Sequence, residues 1–234
     1  MTHFRHEHEH EHVCPLCLGS VLVAYHRDRL RHYVSCEDCG LVHVPADAFL
    51  SGEDEKAYYD LHRNDPADEG YRRFLSRLAV PMMRRLAPGA SGLDFGSGPG
   101  PALSIMLREA GFPTRIYDPI YAPDSEAWQH SYDFITASEV VEHLRALRTD
   151  LERLWQVLKP GGWLGIMTKR VWGRQAFSTW HYKDDPTHVA FFAERTFVWL
   201  ARHWSARLEV IGPDVVLLNK PAESRSTAGD RGPN

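Results

Sequence analysis

The stretch Ser91-Gly92-Leu93-Asp94-Phe95-Gly96-Ser97-Gly98-Pro99-Gly100 decides the fold of this chain. Leu93-Asp94-Phe95 reads as the end of a buried strand. The residues after it read as a glycine turn that opens a helix over about 101–110. Gly96, Gly98 and Gly100 have no Cβ, so the backbone there can turn sharply and approach a ligand closely. The helix behind the turn aims its unpaired N–H groups at the same place. Taken alone, the triplet also fits a plain strand-to-helix turn, and the sequence on either side has to separate the two readings.

Downstream, Gly111 stops the helix and 114–117 reads as a second strand ending in Asp118. An acid at the carboxyl end of the neighbouring strand is placed to grip a ribose diol in doubly wound folds. The segment 119–130 is short for a further strand plus helix, so that layer is expected to be reduced. Trp128 and Ile120 are both candidates for an adenine pocket. Residues 132–138 form the next strand, and a helix is expected over 142–157. Leu158-Lys159-Pro160-Gly161-Gly162 then turns the chain into a strand at 163–168. A helix over 194–203 and an antiparallel pair at 208–211 and 214–219 close the domain. The predicted class is α/β, a doubly wound Rossmann-like sheet over 89–220.

Taken in this order, the glycine turn, Asp118, the strand 132–138 and the Leu158–Gly162 turn resemble the successive motifs of class I S-adenosylmethionine (SAM)-dependent methyltransferases. The resemblance implies a methyltransferase sheet and a SAM site drawn from Asp94, Phe95, Gly96, Gly98, Asp118, Pro119, Ser138 and Glu139. A nicotinamide site fits less well, because Pro101 stands where G-x-G-x-x-G needs its third glycine.

Methyl transfer from a sulfonium asks the protein to align a nucleophile and take its proton. Glu139, Glu142 and His143 are spaced i, i+3 and i+4, which on a helix gives one shared face. Together with His188, in Asp184-Asp185-Pro186-Thr187-His188-Val189-Ala190-Phe191-Phe192, they resemble the ligands of metal-dependent O-methyltransferases. The similar families are the small-RNA 3′-terminal 2′-O type and the ubiquinone-pathway type. The resemblance implies one divalent ion (Mg, Mn, Fe, Co or Zn) on Glu139, Glu142, His143 and His188, with vicinal substrate oxygens in its open positions. The same residues also read as a metal-free arrangement, with Glu142 at a helix start and His143 and His188 as satisfied core histidines. His188, or His181, would then be the general base. The catalytic candidates are thus His188, His143 and Glu142. Trp172, Phe177, Trp180, Tyr182, Phe191 and Phe192 surround this loop in sequence, which favours a planar or sugar-and-base acceptor.

Upstream, all four cysteines fall in two pairs, Cys14-Pro15-Leu16-Cys17 and Cys36-Glu37-Asp38-Cys39. Eighteen residues separate the pairs, enough for a hairpin that brings four thiolates around one structural zinc. Two disulfides are the alternative, disfavoured in a reducing compartment. The stretch 13–45 resembles a zinc ribbon. Arg27, Arg29 and Arg31 lie on its hairpin, as phosphate contacts or as a solvated face. The segment 46–88 is a helical connector, expected to cap the ligand mouth, with Pro81 expected to kink or split its second helix. Residues 1–12, an alternating His/Glu arm, and 221–234 are expected to be disordered.

The 234 residues carry a net charge of −4, so no global basic field argues for nucleic acid. No run is apolar enough for a membrane span, and no signal-peptide core precedes the ribbon, so the chain is expected in the cytoplasm. The acceptor stays open between a small molecule and RNA, with a protein partner at the ribbon a third expectation.

Overall fold

The computed structural model describes residues 13–61 and 64–222; the His/Glu arm and most of the 221–234 tail lie outside them. In chain order the strands and α-helices begin with β1 (Leu22–Arg27), β2 (His32–Cys36), β3 (Val42–His43), α1 (Gly52–Tyr59) and α2 (Glu69–Met83). There follow β4 (Gly92–Phe95), α3 (Ala102–Glu109), β5 (Thr114–Tyr117), β6 (Tyr132–Ser138), α4 (Leu147–Val157) and β7 (Leu158–Met167). The chain continues through α5 (Arg174–Ser178), β8 (Ala190–Phe191), α6 (Glu194–His203), β9 (Arg207–Ile211) and β10 (Val215–Asn219).

The larger sheet has the order β5-β4-β6-β7-β10-β9. The first four strands are parallel, and β10 runs antiparallel to both β7 and β9. Chain order reverses direction at β4, with β5 on one side and β6 on the other. That switch leaves a crevice at the carboxyl ends of β4 and β6, the usual ligand position in open α/β sheets. The segment after β5 makes only a short 3-10 turn at Ser125–Gln129, so β5 is the sheet edge.

Alternation along the strands sorts side chains onto two faces. Val216 and Leu218 of β10 join Ile135 and Leu164 against Leu151 and Leu154 of α4 and Phe197 and Leu200 of α6. Val215 and Leu217 point the other way, to Leu75, Leu78 and Met82 of α2 and Leu103 and Leu107 of α3. The α2 helix starts where Asp68 Oδ1 accepts from the Tyr71 N–H. It continues past Pro81 to Met83, so the expected split does not occur. Pro81 sits in the last turn, where its carbonyl accepts from Arg85 Nη1 at 2.6 Å.

The smaller sheet, β1-β2-β3-β8, holds a pairing invisible in the sequence: Val42 pairs with Phe191 and His43 with Ala190. The cysteine region is therefore joined edge-on to the segment that carries His188. Cys14, Leu16, Cys36, Cys39 and Leu41 belong to the same apolar cluster as α4 and α6. Arg148 Nη1 donates to the Leu16 carbonyl at 3.0 Å and Arg195 Nη2 to that of Cys36 at 2.7 Å.

One expected helix is corrected. Residues 142–157 do not form a single helix: a 3-10 turn covers Val141–His143, and α4 begins only at Leu147. The cause is local. Glu139 takes a left-handed φ of 52°, and the Glu142 carbonyl accepts from the Val189 N–H at 2.8 Å instead of serving a helix.

Candidate active site

The glycine turn leaves β4 with φ of 71° at Gly96, a conformation that favours glycine. A Cβ there would also come within 2.4 Å of Val140 Cγ2. The Gly98 N–H donates to Asp118 Oδ2 at 2.9 Å, and Asp118 Oδ1 accepts from the N–H groups of Ile120 and Tyr121 at 2.9 Å. Asp118 thus sits at the carboxyl end of β5, tied to the turn, while Pro119 beside it is exposed. Phe95 stacks on Tyr117 with ring centroids 5.8 Å apart and meets Trp128 edge-on. Asp94 is different. Its carboxyl is buried beneath the turn, where Oδ1 accepts from Thr136 Oγ1 at 2.8 Å. Burial pushes this carboxyl up to about 7. Asp94 thus braces β4 against β6 from beneath the turn.

Across the crevice, β6 ends in Ser138, and Glu139 follows it. Five buried side-chain polar atoms among the described residues lack a partner, and three lie here: Ser138 Oγ, Glu139 Oε1 and Glu142 Oε2. Buried polar atoms without partners are costly, and their grouping at one mouth fits a polar ligand over the carboxyl edge. The residues around the glycine turn and the end of β6 therefore suit a nucleoside-bearing cofactor such as SAM.

The structure brings Glu142, His143 and His188 together, with one ligand atom from each inside a mutual 4.8 Å. Glu139 is outside this group. Its left-handed backbone breaks the helical spacing that would have put it on a common face, and Tyr182 links it to the cluster, with Oη 3.3 Å from Glu139 Oε2. The same hydroxyl donates to Glu142 Oε1 and lies 3.2 Å from Thr168 Oγ1. Glu142 is fully buried. Burial, then the charge of Glu139, pushes its carboxyl up to about 8, and burial pushes Glu139 to about 7.

The two imidazoles are held in defined tautomers. His188 Nδ1 lies 2.7 Å from the Tyr182 carbonyl and His143 Nδ1 lies 3.2 Å from that of Thr187. A carbonyl can only accept, so each Nδ1 carries the proton and each Nε2 keeps its lone pair when the ring is neutral. Burial lowers the pKa of His188, favouring that neutral form. The rings are 4.6 Å apart. Second-site hydrogen bonds of this kind are what orient metal-ligating histidines. A buried carboxylate with an orphaned oxygen and two such imidazoles fit a divalent ion.

Sequence reasoning named Tyr182 only as an aromatic around the acceptor and did not foresee three contacts. Tyr182 holds both Glu142 and His188, Asp185 Oδ2 comes within 3.8 Å of His188 Nε2, and Tyr59 of α1 meets His143 edge-on at 5.3 Å. The aromatics predicted to frame the acceptor divide: Phe177, Tyr182, Phe191 and Phe192 are buried, whereas Trp172 is 68% exposed. His181 is exposed, with Nε2 3.2 Å from Lys169 Nζ.

At the ribbon, the paired sulfurs lie 3.5 Å (Cys14 and Cys39) and 3.4 Å (Cys17 and Cys36) apart. These separations are far longer than a disulfide of about 2.05 Å. They approach the edge of a zinc–sulfur tetrahedron, roughly 3.8 Å for bonds of 2.3 Å. All four are free thiols and suit a closed structural zinc site.

A methyltransferase-domain family model matches residues 61–204, more than half of the chain. The chain belongs to the methyltransferase-domain family. A ubiquinone biosynthesis O-methyltransferase from Photorhabdus laumondii is 27% identical to this methyltransferase over 94 residues, 38% of this chain. The match spans only 39% of that relative's length. Among solved structures, the Burkholderia thailandensis 1,6-didemethyltoxoflavin-N1-methyltransferase, bound to 1,6-didemethyltoxoflavin and S-adenosylhomocysteine, matches with a TM-score of 0.54 and 17% identity. That likeness covers 80% of this chain and 98% of the other, and it concerns the fold. A SAM-dependent methyltransferase from Archaeoglobus fulgidus matches with a TM-score of 0.49 and 14% identity, over 64% of this chain and 94% of its own. The family match contains the glycine turn, Glu142, His143 and His188, and the four cysteines precede it.

Proposed function

We propose that this methyltransferase moves the methyl group of SAM to a hydroxyl that has a second oxygen beside it, on a small catechol- or quinol-like acceptor. The supporting observation is the Glu142–His143–His188 cluster at the carboxyl end of β6, one strand from the glycine turn, with Glu142 Oε2 unpartnered. Cofactor and acceptor would then meet over adjacent strands. The O-methyltransferase named among the relatives supports oxygen as the accepting atom.

SAM would lie against the Gly96–Gly98 turn, Asp118, Ser138 and Glu139. A divalent ion on Glu142, His143 and His188 would acidify the accepting hydroxyl and take its neighbouring oxygen as well. The protein's own part is alignment and proton removal. Oxygen forms a bond to the methyl carbon as the carbon–sulfur bond breaks, leaving neutral S-adenosylhomocysteine. The Glu139 carboxylate, which lies outside the cluster and 3.3 Å from Tyr182 Oη, is placed to accept the hydroxyl proton. A structural zinc on Cys14, Cys17, Cys36 and Cys39 would hold the ribbon.

The test is methyl transfer from labelled SAM into small-molecule, RNA and protein fractions of a cell extract, with and without added Mn²⁺. Label in a small phenolic product supports the reading. Label in RNA, with substrate binding that weakens steeply with salt, would replace it with a terminal ribose acceptor. SAM binding without turnover in any fraction would replace it with a SAM-binding adaptor.

A further inference from the structure

The ribbon does more than cap the chain. Arg31, between β1 and β2, is 9% exposed. Its Nη1 donates to the carbonyls of Pro186 at 3.1 Å and His188 at 2.9 Å. Its Nη2 donates to those of Lys183 and, at 2.9 Å, Asp185. One guanidinium thus satisfies four backbone carbonyls in the six-residue segment that carries His188. The rigid five-donor fork of arginine makes this arrangement available, and a lysine ammonium cannot span it. The neighbouring acid, Asp28, accepts from the Arg31 backbone N–H at 2.9 Å and from Tyr33 Oη at 3.0 Å and Lys183 Nζ at 3.3 Å, while the Arg31 guanidinium donates to backbone carbonyls.

The other side of the same segment is also fixed by the ribbon. The Val44 N–H donates to the Val189 carbonyl at 2.9 Å, and the Val189 N–H donates to the Glu142 carbonyl at 2.8 Å. His188 is held between Arg31 on one side and this backbone relay on the other, and β2 connects Arg31 directly to the zinc-site candidate Cys36.

We propose that Arg31 is a positioning residue for the acceptor site, setting His188 and Asp185, and that the ribbon is thereby a structural wall of that site. This rests on the reading of His188 as an acceptor-site residue. It turns the phosphate-contact expectation for Arg31 into a role inside the fold.

The test uses the full chain and the variants Arg31→Ala and Arg31→Lys. Three probes are measured: S-adenosylhomocysteine and Mn²⁺ by titration calorimetry, and the His188 imidazole by long-range ¹H–¹⁵N spectra assigned through His188→Gln. In the native protein His188 should show the Nδ1–H tautomer. Both variants should mix the tautomers and weaken Mn²⁺ by about 10- to 100-fold, as lost orienting contacts commonly do. S-adenosylhomocysteine affinity should stay within about twofold, because the glycine turn is untouched. Added ethylguanidinium, which can refill the space and donate to the same carbonyls, should restore both the Nδ1–H tautomer and Mn²⁺ binding in Arg31→Ala. An unchanged His188 tautomer in a folded variant overturns the proposal. Absence of Mn²⁺ binding in the native protein refutes the metal reading alone, and the tautomer then decides the role of Arg31.

Discussion

Tyr182 grips His188 through its backbone carbonyl, at 2.7 Å from Nδ1, while its own hydroxyl donates to Glu142. One residue therefore orients an imidazole and a carboxylate of the same cluster. Removing the hydroxyl leaves the ring packing and the His188 contact in place but strips Glu142 Oε1 of its donor. Tyr182→Phe should weaken Mn²⁺ binding by about 10- to 100-fold and leave S-adenosylhomocysteine binding nearly unchanged. Calorimetry with both ligands decides it, and equal Mn²⁺ affinity in the variant would show that the phenol does not tune the site.

Gly96 meets two demands at once. Its φ is 71°, and its missing Cβ makes room for Val140. Gly96→Ala should cost about 1–2 kcal/mol for the backbone alone, plus the clash with Val140. Val140→Ala relieves only the clash, so the double variant should be more stable than the sum of the single changes by about 1 kcal/mol. Urea unfolding of the four proteins measures this coupling. Strict additivity would mean that the turn relaxes away from Val140.

The parallel half of the sheet was legible because its strands end in decisive residues: glycine after Phe95, Asp118 after Tyr117, and Glu139 after Ser138. The short apolar run of β10 and the helix at α6 were equally plain. The candidate site was legible only in part. Glu142, His143 and His188 do converge, but helical spacing misplaced Glu139, since no local propensity announces a left-handed φ at a glutamate. Arg31 and Tyr182 were unreadable for a different reason. Their roles come from the contacts of Arg31 to residues 183–188, from that of Tyr182 to Glu142, and from the pairing of β3 with β8, which depend on tertiary placement rather than on any sequence period.

Asp94 makes stability depend on pH. Burial raises its carboxyl from the ordinary 3.8 to about 7, so the folded state keeps a proton that the unfolded state releases. Its contribution is full below about pH 4 and is lost as pH rises to about 7, after which it stays flat. The loss is at most about 1.4 kcal/mol per pH unit in that window. Asp94→Asn, whose amide oxygen can still accept from Thr136 Oγ1, should stay within about 1 kcal/mol of the native protein at pH 4 and should lack this slope. Urea unfolding at a series of pH values gives the comparison, and parallel curves for the two proteins would rule out Asp94 as the source.

The zinc site should govern more than the ribbon. Leu16 and Leu41 pack in one cluster with Leu151, Phe197 and Leu200, so a ribbon that unfolds exposes apolar surface on α4 and α6. A ribbon this small cannot pay its ordering entropy from apolar burial, and the metal must supply that free energy. Cys36→Ser should therefore lose bound zinc by elemental analysis and lower the unfolding temperature of the whole chain in one cooperative transition. The Cys36 carbonyl is the acceptor for Arg195, at the start of α6, which carries the disturbance into the larger domain. Calorimetry separates the outcomes. A ribbon that melts alone, leaving the larger domain at its native transition temperature, would show that the shared cluster transmits no stability between them.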